Sequence, residues 1–319
     1  MNADGPSDVR VGVIGIGRWG RRLIDAFARA ATVTTCANRG DEAAVQWLAT
    51  HHPTVHHTTD TETLLSDPAI DVVVIATPIE THEGLAIRAL ESGKHVFVEK
   101  PLATAEGACD RVIAAASRSG RRLGVGYVFL YDDALAELRS RTRDDPITRL
   151  QLVWHKFGTF EEPLVWNLLT HEVAIALWLC GNRPDKLRVE EASGHRTELD
   201  RLHATLSFAG GQRVSIEVDR TMPATRKTVE AESASGLHYR WSDGVLRVRS
   251  NERSWQVAHS ASRKPLDAEV RAFLDAVSTG SELRSDGPFA RLVTAVVSEF
   301  APGARPRTSR SKADPRPGV

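Results

Sequence analysis

The fold is decided by the stretch Val9-Arg-Val-Gly-Val-Ile-Gly-Ile-Gly-Arg-Trp-Gly20. Val9 to Ile14 has the apolar pattern of a buried strand, and Trp19 to Ala30 has apolar residues at helical spacing. The turn between them, Gly15-Ile16-Gly17-Arg18-Trp19-Gly20, matches GxGxxG. In this strand–turn–helix context the pattern predicts a dinucleotide site, where backbone N–H groups and the helix dipole hold a pyrophosphate.

Short apolar strands alternate with helix patterns from this stretch to about residue 125. Alternation of this kind indicates crossover units, and therefore a doubly wound parallel sheet with helices on both faces. After Gly126 come two helices around one strand, then a run of strands from Lys186 to Ala258 and two closing helices. The sequence thus predicts an α/β protein whose N-terminal half is a Rossmann domain and whose C-terminal half is an α+β domain with a large, mostly antiparallel sheet.

These patterns predict three segments along the chain. Residues 1–125 form the dinucleotide-binding domain, and residues 126–302 form a domain for substrate binding and oligomerisation. Residues 303–319 contain five basic residues and one acidic residue. We expect them to form a disordered basic tail.

Composition excludes several classes of partner. The 41 Lys and Arg residues balance 41 Asp and Glu residues, so the chain has no overall charge with which to bind nucleic acid or an anionic membrane. The longest apolar runs, such as Val72 to Ala76, are only long enough for strands. Three scattered cysteines and a polar N-terminus without a visible secretory signal favour the cytoplasm.

The end of the second predicted strand, Ala37-Asn38-Arg39, bears on which dinucleotide binds. Sites for NAD usually place an acidic residue here to bind the ribose 2′-hydroxyl. Asn38 lacks the charge that repels a 2′-phosphate, and Arg39 could pair with that phosphate. The sequence therefore favours NADP(H) over NAD(H). The alternative is that Arg39 stacks on the adenine and both cofactors bind.

Two further motifs follow predicted strands of the sheet. Thr77-Pro78, with His82 beyond, ends one strand, and Glu99-Lys100-Pro101 ends the next. Both lie at carboxyl ends of parallel strands, where open α/β sheets bind their ligands. Together with the glycine motif they resemble the Gfo/Idh/MocA family of nicotinamide-dependent oxidoreductases, over nearly the whole chain.

The resemblance implies roles for these residues. It places the cofactor against the glycine turn, the Asn38-Arg39 pair and the residues that follow the two strands, namely Thr77, Pro78, His82, Glu99 and Lys100. It also places Lys100 near both nicotinamide and substrate, with a Lys–Pro bond that is often cis. A desolvated lysine there is suited to orient or protonate a substrate oxygen.

The family's second catalytic element is an Asp-x-x-x-His pair on a helix of the second domain. The matching segment is Asn167-Leu-Leu-Thr-His171, inside a predicted helix over Trp166 to Leu179. Spacing of four residues predicts that both side chains face one cleft. The resemblance implies that His171 is the acid/base, while the alternative is a histidine packed in the core. Because Asn167 replaces an aspartate, we expect His171 to be less basic than in relatives that have the aspartate. We expect Asn167 to position His171 or a substrate hydroxyl.

Three aromatic residues are candidates for substrate contact: Tyr127, Trp154 and Trp166. Tyr127 occupies a position where many similar sequences have histidine, and contact with substrate and packing under the sheet are equally consistent with the pattern. The adjacent histidines at 51–52 and 56–57 lack acidic partners at ligand spacing, so no metal site is predicted.

The combined features predict an oxidoreductase that moves a hydride between nicotinamide and the carbonyl or secondary alcohol of a small molecule. The resemblance implies a sugar, nucleotide-sugar or polyol derivative. Three alternatives stay open: an imine or small keto-compound reductase, a redox-neutral glycosidase, and a non-catalytic nucleotide-binding regulatory protein. An exposed antiparallel face predicts a homodimer or homotetramer.

Overall fold

A computed structural model describes residues 8–158, 162–181, 183–250 and 253–301. The predicted tail, 303–319, lies outside the described residues. The first half contains six strands: β1 (Arg10–Ile14), β2 (Thr32–Ala37), β3 (His56–Thr58), β4 (Val72–Ile75), β5 (His95–Glu99) and β6 (Leu123–Gly126). Five helices connect them: α1 (Arg18–Ala28), α2 (Glu42–His51), α3 (Thr61–Ser66), α4 (His82–Glu91) and α5 (Glu106–Ser119).

These strands form one parallel sheet in the order β3-β2-β1-β4-β5-β6. This order is that of a Rossmann fold, which confirms the predicted fold of the first half. All four residues of β4 are buried, because helices cover both faces of the sheet. The pattern analysis missed β3, whose His-His-Thr sequence is polar because the strand lies at the edge of the sheet.

The second half contains a sheet of eight strands: β7 (Ile147–His155), β8 (Lys186–Ser193), β9 (Arg201–Ser207), β10 (Arg213–Asp219), β11 (Arg226–Ser233), β12 (His238–Ser242), β13 (Val245–Arg249) and β14 (Gln256–Ser260). Their order is β14-β13-β12-β11-β7-β10-β9-β8. Among the described strand pairs of this second sheet, only β7 and β10 are parallel. The prediction of a mostly antiparallel second sheet is confirmed.

Four helices belong to this half: α6 (Asp133–Arg141), α7 (Thr170–Cys180), α8 (Pro265–Thr279) and α9 (Gly287–Val297). Helix α7 packs on β7 and β10, and α8 packs on α1 of the first half. Phe273 of α8 makes edge-to-face contacts with Phe27 and Phe97 of the parallel sheet layer. This aromatic contact holds the two halves together behind the carboxyl ends of β1, β4 and β5.

The helix predicted over Trp166 to Leu179 differs in the structure. Residues Val165–Leu169 form a π-helical turn, and the α-helix begins only at Thr170. A π turn makes hydrogen bonds five residues apart instead of four, so the segment that contains Asn167 is wound more widely than the predicted α-helix. Turns of this kind occur frequently at functional sites.

Candidate active site

The glycine turn between β1 and α1 is tightly enclosed on one side and open on the other. Gly15 has φ +101°, and a Cβ on Gly20 would lie 2.1 Å from the Gly15 carbonyl oxygen. A Cβ on Gly17, in contrast, would meet no atom within 4 Å. No side chain caps the N-terminus of α1, so its first N–H groups remain available to a phosphate. The turn therefore fits a dinucleotide pyrophosphate.

At the end of β2 the structure offers hydrogen-bond donors. The Asn38 amide Nδ2 is buried and has no hydrogen-bond partner, while its Oδ1 accepts weakly from the Ile16 N–H at 3.5 Å. Arg39 is exposed beside it. The nearest acidic residue, Asp41, caps α2 through the Ala43 N–H at 3.0 Å. An exposed arginine next to an uncharged amide, with Asp41 occupied as a helix cap, suits a phosphate.

Thr77, Pro78 and His82 connect the ends of β4 and β5. The Thr77 and Thr81 hydroxyls are 2.7 Å apart. The His82 ring is buried, with Nδ1 2.8 Å from the Pro101 carbonyl oxygen and Nε2 2.9 Å from that of Thr77. Burial lowers the pKa of His82, while the contacts with the Pro101 and Thr77 carbonyl oxygens act to raise it. His82 thus joins the two strand-end loops from inside the core, whereas the prediction had it lining the cofactor site.

Glu99 and Trp19 join the glycine turn to the end of β5. The Trp19 indole N–H donates to Glu99 Oε1. Glu99 is only 7% exposed, and this burial raises its pKa to about 7, although Lys100 and the Trp19 hydrogen bond oppose the shift. Arg22 lies over the Trp19 ring at 5.1 Å. Trp19 therefore reaches across the cleft instead of pointing away from it.

Lys100 bridges the two halves of the molecule. The Lys100–Pro101 bond is cis. The ammonium donates to the carbonyl oxygens of Trp166 and Asn167, at 3.2 and 3.1 Å, both in the π-helical turn. Burial lowers the pKa of Lys100, while Glu99 and Glu162 act to raise it. The first half thus supplies a desolvated lysine directly to the segment that leads into His171.

The structure corrects the predicted partnership of Asn167 with His171. The Asn167 amide Nδ2 donates to Glu162 Oε2 at 2.7 Å, and within the described residues it makes no hydrogen bond to His171. Asn167 lies in the π-helical turn and bonds to Glu162 just before it, whereas His171 lies in α7. Asn167 contributes to the site through its carbonyl group, which binds Lys100.

His171 lies in an aromatic cluster beside Lys100. Its ring makes edge contacts with Phe129 and Trp154, each at 5.4 Å between centroids. Burial, followed by the ammonium groups of Lys100, Lys227 and Lys156, holds the pKa of His171 well below its usual range. We expected a less basic His171 because of Asn167, but the structure gives burial and nearby lysines as the cause.

The three aromatic candidates occupy different places. Trp154 is 9% exposed and forms the floor of the cluster around His171. Trp166 is buried in the π-helical turn and presents its carbonyl group to Lys100. Tyr127 is 1% exposed and packs edge-on against Phe289 at 5.8 Å. For Tyr127 the structure favours packing over contact with substrate.

Several residues near the site were not selected from the sequence. Phe129, Glu162, Glu172 and Lys227 come from separate elements and converge only in the folded chain. Arg21 donates to the Ile16 and Ala43 carbonyl oxygens at 3.3 and 3.4 Å, near the end of β2. Glu172 and Phe129 lie next to residues that the sequence did single out, but the sequence does not show that Lys227 and Glu162 come to lie beside them in the folded chain.

Comparison with known proteins places this geometry in a family. The model described as "Oxidoreductase family, NAD-binding Rossmann fold" (GFO_IDH_MocA) matches residues 9–127. Inositol 2-dehydrogenase 1 of Saccharopolyspora erythraea is 32% identical over 230 residues, which cover 66% of this chain and 67% of that protein. The chain belongs to the Gfo/Idh/MocA oxidoreductase family.

Other members of the Gfo/Idh/MocA family match over more of the chain. The inositol 2-dehydrogenase of Acidothermus cellulolyticus is 27% identical over 304 residues, covering 88% of this chain and 87% of that protein. The structure of UDP-N-acetylglucosamine 3-dehydrogenase from Acidithiobacillus ferrooxidans superposes with a TM-score of 0.85 at 22% identity, covering 91% and 96% of the two chains. The second match shows that the fold extends through both halves.

Two further findings complete the description. Among the described residues, no group of three His, Cys, Asp or Glu side chains is arranged to hold a metal ion. In the same part of the chain no helix has the length and apolar character needed to cross a bilayer. The family match supports an oxidoreductase with a nicotinamide cofactor, and the dehydrogenase names of the relatives favour an enzyme over the non-catalytic alternative.

Proposed function

We propose that this enzyme transfers a hydride between NADP(H) and the carbonyl or secondary alcohol of a sugar, nucleotide-sugar or polyol. The observation that carries the proposal is the position of Lys100. Its ammonium lies at the carboxyl end of β5, close to the glycine turn's Trp19–Glu99 contact, and donates to the segment leading into His171. The glycine turn, a desolvated lysine and a histidine therefore lie near one another at the carboxyl end of β5.

Each protein group has a defined task in this scheme. The bound nicotinamide would supply the hydride chemistry. The glycine turn and the α1 N-terminus bind the phosphates, and Lys100 orients and polarises the substrate oxygen. His171 exchanges the proton of that oxygen, and the aromatic cluster around its ring excludes water.

The choice of substrate class rests on relatives. Proteins that match this chain carry the names inositol 2-dehydrogenase and UDP-N-acetylglucosamine 3-dehydrogenase. A screen should follow reduced-nicotinamide absorbance with polyols, sugars and nucleotide-sugars in the oxidative direction, and with imines and keto-compounds in the reductive direction. Turnover of a polyol or sugar supports the proposal. Glycoside cleavage without net absorbance change would favour the redox-neutral alternative.

The preference for NADP(H) rests on the end of β2. Asn38 offers an unpaired amide donor, Arg39 is exposed, and Asp41 is occupied as a helix cap. Calorimetric titration with NADPH and NADH should show at least about tenfold tighter binding of NADPH, equivalent to about 1.4 kcal/mol. Arg39→Ala should abolish the difference. The control Arg10→Ala, at the amino end of β1 and therefore away from the carboxyl ends of the strands, should keep it. Equal affinities in the unmodified enzyme would contradict the proposal.

We also propose that the outer face of the second sheet mediates self-association. Val257 of β14 is 62% exposed and lies in register with Arg247 and Arg240 on this face. A groove of about 560 Å³ crosses this face, lined by residues such as Arg149, Glu230 and Trp255, away from Lys100 and His171. Light scattering should give the mass of a dimer or tetramer. A monomer at micromolar concentration would contradict the prediction.

A further inference from the structure

A buried ion pair lies directly behind the aromatic cluster that holds His171. Lys227 of β11 donates to Glu172 Oε1, and Glu172 is the residue after His171 on α7. The two side chains are 9% and 0% exposed. A buried pair of this kind contributes little net stability, so its presence asks for another explanation.

The Lys227 ammonium lies over both of the rings that contact His171. Its Nζ lies 4.1 Å from the Phe129 centroid and 4.0 Å from the Trp154 centroid. The two rings are themselves 5.5 Å apart, edge to face. Cation–π attraction therefore fixes both rings, and the rings in turn fix the imidazole.

The charges that act on His171 are all positive. They come from Lys100 after β5, from Lys227 on β11, and from Lys156 after β7, which lies over Trp154 at 5.4 Å. Glu172 compensates Lys227 from the far side of the ammonium, and its Oε2 has no hydrogen-bond partner. Burial opposes a charge on the imidazole as well. A proton on this ring is thus disfavoured from every packed element.

We infer that Lys227 is a positioning residue that holds the Phe129 and Trp154 rings, and through them the His171 ring, in place and keeps that ring uncharged before substrate binds. The part that His171 plays rests on the proposed function. When an alcohol is oxidised, its hydroxyl proton would pass to His171, and the nicotinamide, when bound, would supply the acceptor for the carbinol hydrogen as hydride, leaving a carbonyl group. Only the uncharged ring can take that proton.

The inference can be tested on the protein without substrate. The His171 signal in a histidine NMR titration is assigned by its loss in His171→Asn. Lys227→Met should raise the midpoint of this signal by about one pH unit, since a like charge close to the ring is removed. Lys227→Arg keeps the charge and should leave the midpoint unchanged. The matched control Lys186→Met, on the exposed start of β8, should do the same.

A second variant guards against loss of folding. Lys227→Met leaves the buried Glu172 unpaired, whereas the double variant Lys227→Met/Glu172→Gln removes both charges. The double variant should also raise the midpoint. If the midpoint of the double variant equals that of the unmodified enzyme, the inference is overturned.

Activity separates this inference from the proposed function. With an alcohol identified by the screen, the acid limb of kcat/KM for oxidation should move to higher pH in the double variant, by the same amount as the NMR midpoint. Movement of the NMR midpoint in an enzyme that oxidises no alcohol would uphold the role of Lys227 and refute the proposed reaction. If the enzyme oxidises an alcohol but the acid limb does not move, the proposed reaction is supported and the role of Lys227 is refuted.

Discussion

The two ends of the cleft recognise their ligands by different means. At the nucleotide end the glycine turn and the α1 N-terminus act through backbone groups of one continuous segment. At the substrate end Lys100, His171 and Lys227 are side chains from three separate elements, buried together among aromatic rings. A site made of backbone groups tolerates other side chains only where they leave room for the ligand and the chain. The buried site made of side chains depends on the charge of each of its residues.

Among these variants, Lys100→Met should have the largest effect, which is a loss of activity at the substrate end. Removing the group that orients the substrate oxygen should lower kcat by about 10²- to 10⁴-fold. Affinity for NADPH should change little, because the phosphates bind at the other end of the cleft. Steady-state kinetics and calorimetry measure the two effects, with Lys186→Met as the control. A variant with unchanged kcat would remove Lys100 from the chemistry.

Two alanine substitutions should distinguish a glycine that the fold requires from a glycine that ligand binding requires. Gly20→Ala places a Cβ against the Gly15 carbonyl oxygen and should cost about 1–3 kcal/mol of unfolding free energy. Gly17→Ala has open space and should leave stability unchanged while weakening NADPH binding. Denaturant unfolding and calorimetry check the pair. Equal stability losses in both variants would contradict this interpretation of the turn.

Glu99 should make stability depend on pH. Its pKa is raised to about 7 by burial, so its contribution to stability is present below its unfolded pKa and is lost as pH rises through about 7. The stability of Glu99→Gln relative to the unmodified enzyme should therefore increase between pH 5 and pH 8, by at most about 3 kcal/mol at about 1.4 kcal/mol per pKa unit. Comparing the two proteins cancels the opposite trend from His171. A difference that is constant with pH would refute a buried, protonated Glu99.

Asn38→Asp should give the smallest effect, and it tests how the nucleotide end distinguishes NADPH from NADH. A carboxylate at this position would repel a 2′-phosphate and accept from a 2′-hydroxyl. We expect the affinity for NADPH to fall about tenfold relative to NADH, equivalent to about 1.4 kcal/mol. Paired titrations measure the ratio. An unchanged ratio would mean that Asn38 does not face the ribose.

The same contrast explains what could be predicted from the sequence. The glycine motif and the strand–helix alternation are local patterns that predicted the parallel Rossmann sheet, and the run of strands after Lys186 predicted the antiparallel second sheet. The hydrogen bond of Asn167 to Glu162, in place of the expected contact with His171, could not be predicted from the sequence. A π-helical turn leaves no clear mark on the spacing of apolar residues. The Lys227–Glu172 pair joins residues 55 positions apart on a strand and a helix, and only the folded chain shows it.

The central claim is that one cleft contains a backbone site for the nucleotide and an independent side-chain site for the chemistry. The most direct test is calorimetric titration of NADPH into the unmodified enzyme, Gly17→Ala and His171→Asn. The account predicts that His171→Asn binds NADPH as the unmodified enzyme does while Gly17→Ala binds at least about tenfold more weakly. Full affinity in Gly17→Ala, or an equal loss in His171→Asn, would contradict it.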